Sequence, residues 1–167
     1  MNKIITAILL GFTINSTAQT AQDHFRDGLA KHKNKDYKSA IKEYSKAIKM
    51  IPNYRDALYN KANCELELKE YELATADFTK VIEADPKYGK AYFSRGYVTF
   101  TIGDHEGALP DLDEAIKLDF RIPNALTLRG QIRGELKNFD GACADFKKAK
   151  AIGDPNAEEL MGEVCDK

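Results

Sequence analysis

Small and apolar residues recur along most of this chain at a constant interval of 34 residues. An apolar residue also follows each recurring alanine after four and after seven positions. Within every interval, two short segments carry apolar residues at positions i, i+3, i+4 and i+7, the spacing of one helix face. A fixed period of this size indicates stacked supersecondary units, here with two helices each. The alanines that define the interval are Ala40, Ala74, Ala108 and Ala142.

A polar residue marks the turn between the two helices of each unit. Three of these four residues are of the types whose side chains cap a helix N-terminus. Each unit is therefore predicted to be an antiparallel helical hairpin, and because one hairpin cannot bury its apolar stripe alone, the hairpins should stack. The turn residues are Asp36, Glu70, Asp104 and Asn138.

The period divides the chain into four hairpins, at about 21–54, 55–88, 89–122 and 123–154. Residues 155–167 predict one further amphipathic helix, with Leu160, Met161 and Val164 on its apolar side. Terminal repeats need a polar outer face, so this helix is interpreted as a solvating cap. The expected fold is all-α: an α-solenoid of four stacked antiparallel hairpins with a C-terminal capping helix.

The first residues depart from the repeat. Lys3 is the only charge before Asp23, and Ile4–Ile14 is an apolar run. The run is shorter than the roughly 20 residues that a helix needs to span a bilayer. With the small residues Ser16 and Ala18 after it, it is typical of a secretory signal peptide, residues 1–18. We expect a periplasmic or secreted protein that is not inserted in the membrane; the alternative is an ordinary apolar N-terminal helix.

The second helices resemble those of tetratricopeptide repeats. Gly28, Gly96 and Gly130 match the small residue on that family's first helix, and Ala62 takes its place in the second unit. The resemblance covers roughly residues 21–154, and together with the N-terminal segment it suggests an exported bacterial protein. It implies a superhelix with the first helices on its concave side, and a scaffold that binds another polypeptide. The matching segments are YKSAIKEYSKAIKMIP, YELATADFTKVIEADP, HEGALPDLDEAIKLDF and FDGACADFKKAKAIGD.

The resemblance places a candidate peptide-binding groove on the first helices. Exposed aromatic stripes mark interaction sites, because rings offer a large apolar area at low entropic cost. The alternative is that these rings pack against adjacent repeats and never meet a ligand. Members of the family that clamp a C-terminal carboxylate do so with basic and amide groups, of which only Asn60 and Lys90 have counterparts here, so that specificity is not predicted. The candidate groove residues are Phe25, Leu29, Tyr59, Asn63, Leu66, Lys90, Phe93, Tyr97, Phe100 and Gln131.

Charge and motifs argue against several other functions. The net charge is -1, which does not indicate a nucleic-acid partner. The three histidines, His24, His32 and His105, lack neighbours at metal-ligand spacing. No phosphate loop or nucleophile motif is found, so we predict no catalytic residue, metal or cofactor. The favoured function is binding of a protein or peptide partner, and the alternative is a structural or self-associating envelope-assembly component. No residue pattern here supports an enzyme.

Oppositely charged residues recur 16 positions apart in three of the hairpins, with the turn at their midpoint. Antiparallel helices bring such residues side by side, so we predict an ion pair within each of these hairpins. The alternative is solvated charges that never meet. The first hairpin breaks the pattern, with Asp27 and Glu43 at these places. The predicted pairs are Lys61 with Asp77, Arg95 with Asp111, and Arg129 with Asp145.

The chain has three cysteines. Cys143 and Cys165 lie at nearly equal distances from a turn near Gly153, so antiparallel helices would bring them together. We predict a disulfide between them, which an exported protein could keep. Cys64 stands where a small residue is found in the first unit and is interpreted as a buried free thiol. The alternative is three reduced, buried cysteines.

Overall fold

The computed structural model describes residues 20–118 and 123–165, and every regular element in them is an α-helix. The predicted signal peptide, residues 1–18, lies outside the described residues. The chain divides into two compact units, one ending at Ala84 and one beginning at Asp85. The first holds α1 to α4 and the second α5 to α9. The helices are α1 (20–33), α2 (Tyr37–Met50), α3 (Arg55–Glu67), α4 (Tyr71–Ala84), α5 (Gly89–Thr101), α6 (His105–Lys117), α7 (Pro123–Glu135), α8 (Phe139–Ala151) and α9 (Ala157–Val164).

The all-α prediction of helical hairpins followed by a short C-terminal helix is confirmed. Helices adjacent in sequence pack as pairs, α3 on α4, α5 on α6 and α7 on α8. The four predicted hairpins contain α1 with α2, α3 with α4, α5 with α6, and α7 with α8. Within the described ranges, no helix has the length and apolar character needed to cross a membrane.

Each hairpin turn contains one residue in the left-handed backbone region, again at intervals of 34. This residue ends the first helix, a position that glycine fills most easily. The predicted N-caps follow directly: Asp36, Asp104 and Asn138 accept a hydrogen bond from the backbone N–H three residues further on. Turn geometry and cap together set where the second helix begins. The left-handed residues are Lys35, Lys69, Gly103 and Lys137.

Glycines on two first helices allow a buried ring to lie against the backbone. A Cβ atom on Gly28 would stand 2.5 Å from Cε1 of Tyr44, and one on Gly130 would stand 2.6 Å from Cε1 of Phe146. Both rings are buried. At positions 28 and 130 even a methyl group would push the ring out of the seam between the helices, which explains the glycines there.

All three predicted ion pairs within hairpins are confirmed. Lys61 Nζ bonds to Asp77 Oδ2. The Arg95 Nη2 atom lies 2.7 Å from Asp111 Oδ1, and Nη2 of Arg129 lies 2.6 Å from Asp145 Oδ1. Both arginines also donate from Nε to the second carboxylate oxygen, which fixes the angle as well as the distance. These pairs therefore set the register between the two helices of each hairpin.

The first hairpin keeps the acid of the pattern and takes its cations from other positions. Glu43 accepts from Lys46 Nζ at 3.0 Å, and its carboxylate also meets His24 Nδ1 at 2.8 Å and Lys31 Nζ at 3.1 Å. These bonds lower the pKa of Glu43 to about 2 despite its burial, and the bond from Lys46 has the largest effect. His24 and Lys31 flank Asp27 by one turn of α1, so they supply the partners for Glu43 that Asp27 cannot.

Glu65 is a buried acid that the pairing pattern does not include. It is 2% exposed, and Lys61 bonds its Oε1 atom, while Oε2 has no hydrogen-bond partner among the residues that the structure describes. Burial raises the pKa of Glu65 above its ordinary value. The folded chain then holds the proton more tightly than the unfolded chain, so the contribution of Glu65 to stability is largest at low pH and falls as pH rises through the raised pKa.

We expect Glu65→Gln to gain stability relative to the parent protein as pH rises from 4 to 7, because glutamine never ionises. Urea unfolding followed by circular dichroism at several pH values measures this difference. The matched control is Glu83→Gln, an exposed acid on α4, which should show no such trend. A constant loss of stability for Glu65→Gln across this pH range would contradict the assignment.

Candidate functional site

One face of the second unit carries two neighbouring cavities, lined by residues of α5, α7, α8 and α9 and of the turn before α9. Their volumes are about 430 and 410 Å³. We call this surface the groove face. Helices α5, α7 and α9 begin at Gly89, Pro123 and Ala157, again 34 residues apart. Helix α9 therefore stands in sequence where the first helix of a fifth repeat would begin.

The first cavity has apolar walls from all three helices. Phe93 and Tyr97 of α5 are stacked, with ring centroids 6.5 Å apart, and Leu128 and Leu160 contribute from α7 and α9. Tyr97 is 43% exposed although it lines a cavity. Phe93 is partly buried and also packs against the core of the unit. The cavity therefore presents ring and aliphatic surface to solvent on a fixed frame.

Side-chain amides add polar groups to these walls. Asn124, Gln131 and Asn156 line the first cavity, and each amide offers both donors and an acceptor. These are the groups needed to pair with a peptide backbone. Thr127 lines the same cavity but is buried, and its hydroxyl donates to Asp154 Oδ2. Its role is to hold the turn that leads into α9.

The second cavity adjoins the first, since Gln131 and Leu160 line both. Its other walls include Phe100, Phe139 and Val164. The Phe100 ring lies 5.2 Å from that of His105, whose Nδ1 atom is 2.9 Å from Glu135 Oε2. The groove face thus continues past the first cavity with further aromatic surface.

The C-terminal helix is fixed at both of its ends. At its N-terminus, buried Ala157 packs with Leu126 and Ala149, while Asp154 accepts from the backbone N–H of Asn156 at 2.9 Å. At its C-terminus, the disulfide joins Cys143 and Cys165, with 5.2 Å between the Cα atoms. This is the pairing that the spacing predicts. The helix interpreted as a solvating cap is also one wall of the groove face.

The third cysteine lies in the protein interior, as expected for a buried free thiol. Cys64 is buried and is not in a disulfide. Burial raises the pKa of its thiol to about 12, so the thiolate that reacts with oxidants is scarce at neutral pH.

The candidate groove residues of the first unit have a different environment. The Phe25 ring packs within its own unit, 5.8 Å from Tyr44 and 5.1 Å from Tyr54 between centroids. Tyr59 lies 5.7 Å from Phe78 of α4. The side chain of Asn63 donates to the carbonyl of Tyr59 on its own helix. Both rings thus have packing partners within their own unit.

The other predicted groove residues are distributed as follows. Leu29 is exposed and Leu66 is half-buried in the first unit, while Lys90 is exposed at the start of α5 and does not line either cavity. Whether any candidate residue contacts a ligand stays a prediction. The predicted set missed Asn124, Leu128, Asn156, Glu159 and Leu160. The signal that would have included α9 is the 34-residue period itself, which runs on to residue 157.

No group of three metal-ligating side chains that could hold an ion is found within residues 20–118 and 123–165. The side chains that line the groove face are mainly aromatic, aliphatic, amide and acidic groups. They come from four separate helices and the turn before α9, so the spacing between the walls depends on hairpin packing.

Comparison with known proteins agrees with this architecture. Family models described as tetratricopeptide repeat match residues 25–54, 56–88 and 89–121, more than half of the chain. No curated protein matches the chain.

Three solved structures illustrate the similarity of fold. The crystal structure of MamA protein has a TM-score of 0.81 at 23% identity, covering 89% of this chain and 82% of its own. YrrB, described as a tetratricopeptide repeat protein with an unusual peptide-binding site, has 0.76 at 19% identity, covering 92% and 80%. The first such domain of Spaghetti (RPAP3), bound to the HSP90 peptide SRMEEVD, has 0.69 at 25% identity, covering 72% and 95%.

Proposed function

Because the chain belongs to the tetratricopeptide repeat family, we propose that it is a protein-interaction scaffold that binds an extended segment of a partner protein in a groove formed by its first helices, outside the cytoplasm. Two of the similar structures are described by their peptide binding, which agrees with this role. The observation that carries the proposal is the pair of stacked rings, Phe93 and Tyr97, in an open cavity beside three side-chain amides.

The groove face suits an extended polypeptide for three physical reasons. Its first cavity, about 430 Å³, can receive an apolar side chain, and burial of such a chain releases roughly 1.5–3 kcal/mol. The amides of Asn124, Gln131 and Asn156 can pair with backbone groups on either side of that anchor. The walls are already fixed by hairpin packing and by the disulfide, so the scaffold itself loses little conformational entropy when a partner binds.

We expect Tyr97→Ala to weaken peptide binding by about ten- to a hundredfold, the effect of removing an aromatic anchor. Because Tyr97 is 43% exposed, its removal should leave the thermal unfolding midpoint nearly unchanged. The measurement is fluorescence anisotropy with labelled peptides selected from a random display library on the full chain. The control is Ile102→Ala, an exposed apolar residue at the end of α5 that lines neither cavity.

Self-association is the alternative function, and the same variant tests it. If Tyr97→Ala changes the sedimentation coefficient of the protein alone and leaves peptide affinity intact, the groove face is an assembly interface. If the unfolding midpoint collapses while affinity persists, the ring belongs to the core and the proposal for this face is wrong.

The proposed location outside the cytoplasm is inferred from the N-terminal segment, and disulfides persist in that oxidising environment. We expect mature protein to begin near Gln19 after export from a bacterial host that carries the full gene. N-terminal sequencing of the periplasmic fraction and the medium measures this. Intact Met1 on protein confined to the cytoplasm would contradict the proposed location.

A further inference from the structure

The charged residues that line the groove face are all acidic. Asp154 and Glu159 line the first cavity and Glu135 lines the second, with no lysine or arginine among the described residues that line either one. The chain as a whole is nearly neutral, with a net charge of -1. The described lining of these cavities is therefore more negative than the chain as a whole.

These acids differ in how far their charge is already compensated. Glu135 pairs with His105 at 2.9 Å. Asp154 accepts from Thr127 and from a backbone N–H, which are neutral donors. Glu159 is exposed and forms no ion pair with any described residue, whereas its neighbour Glu158 pairs with Lys150 at 2.8 Å. The first cavity thus holds two carboxylates that no cation of the described chain neutralises.

We propose that the first cavity recognises a cationic segment: an apolar side chain enters between Phe93, Tyr97 and Leu160, and a neighbouring lysine or arginine meets Glu159. This inference rests on the proposed function and gives the partner its chemistry. The aliphatic stem of a lysine or arginine packs on apolar walls while its charged end reaches a carboxylate. A cation also gains from the face of an aromatic ring such as Tyr97.

The same charges disfavour an acidic segment. A glutamate or a C-terminal carboxylate in the first cavity would face Asp154 and Glu159 without a basic residue among the lining groups. Like charges brought together on binding lower affinity and reject the wrong partner. The selectivity should weaken as salt screens exposed charges, because the screening length shrinks from about 10 Å at 0.1 M to about 3 Å at 1 M.

The experiment selects random twelve-residue peptides by phage display on the full chain at low salt. The most enriched peptides are synthesised with a fluorescent label, and their affinities are measured for the parent protein, Glu159→Gln, Glu158→Gln and Tyr97→Ala. The adjacent glutamates form a matched pair, since each substitution removes one negative charge from α9 but only Glu159 lines the cavity.

We expect the enriched peptides to carry more lysine and arginine than the starting library. Glu159→Gln should weaken them about three- to tenfold at 50 mM salt, with little difference left at 1 M, and Glu158→Gln should leave affinity unchanged. Two results would overturn the inference and leave the proposed function standing, provided that Tyr97→Ala weakens binding. One is that the enriched peptides contain no excess of lysine and arginine, and the other is that Glu159→Gln leaves their affinity unchanged. No enrichment, or binding indifferent to Tyr97→Ala, would count against the proposed function itself.

Discussion

Replacing Lys61 with methionine is expected to lower the free energy of unfolding by about 3–5 kcal/mol, the cost of removing one partner from a buried ion pair. Lys61 is the cation that two buried acids share, Glu65 on its own helix and Asp77 on α4. Burial acts to raise the pKa of Asp77, but hydrogen bonds from Lys61 and Lys80 more than offset it, so the pKa of Asp77 stays below its ordinary value. Without Lys61, both acids lose this support.

The control is Lys80→Met. Lys80 Nζ also bonds Asp77, at 2.7 Å, but its side chain is 59% exposed, against 19% for Lys61. Its loss should cost only about 0–1 kcal/mol, as for other exposed pairs. Urea unfolding at pH 7 compares the two variants. Equal losses for both would show that burial does not determine the cost, and the double variant Lys61→Met with Glu65→Gln should recover part of the lost stability.

Reduction of the Cys143–Cys165 bond is expected to lower the free energy of unfolding by about 3 kcal/mol, because the bond closes a loop of 22 residues in the unfolded chain. It should also weaken peptide binding. The bond holds Cys165, the C-cap residue that follows α9, and Leu160 and Glu159 of that helix are walls of the first cavity. When the end of α9 is free to fray, these walls lose their fixed position.

The measurement is urea unfolding and peptide anisotropy with and without a dithiol reductant, which is itself oxidised as the protein disulfide opens to two thiols. The control is the double variant Cys143→Ser with Cys165→Ser, which should match the reduced protein and ignore the reductant. Thiol counting on unfolded, unreduced protein from its native compartment should find one free thiol, that of Cys64. Three free thiols would contradict the bond.

The repeat period was sufficient to predict the hairpins and their internal register. A position on a helix fixes its distance from the turn, so Arg95 with Asp111 and Cys143 with Cys165 could each be paired by counting. Counting also placed the turns, where Lys69 and Gly103 take the left-handed conformation. These features depend on one hairpin or one turn, and the sequence determines them locally.

The groove was harder to predict, because a helical spacing shows which residues share a face but not what that face meets. Phe25, Tyr59 and Phe93 share the same spacing and all have ring partners inside their own unit, yet of the three only Phe93 lines one of the two cavities. The contribution of α9 was missed for a related reason. Its eight residues carry a short pattern that fits a cap as well as a wall. The 34-residue period, which runs on to residue 157, and the packing of α9 against α7 both favour the wall.

The first hairpin shows a compensation that counting residues from the turn cannot detect. The 16-residue spacing places the partner of Glu43 at position 27, which is Asp27, so the spacing predicts no ion pair for Glu43. The structure supplies His24 and Lys31 from the neighbouring turns of α1. A buried acid requires some cation nearby, but which turn provides it depends on side-chain reach.

Site-specific photo-crosslinking would show whether a polypeptide lies on the groove face of the second unit. A benzophenone amino acid replaces Gln131, which lines both cavities, or Leu73, which is 55% exposed on α4. A display-selected peptide should crosslink at position 131, and not at 73, and Tyr97→Ala should abolish the product. Crosslinking only at position 73, or equally at both positions, would contradict polypeptide binding at the groove face.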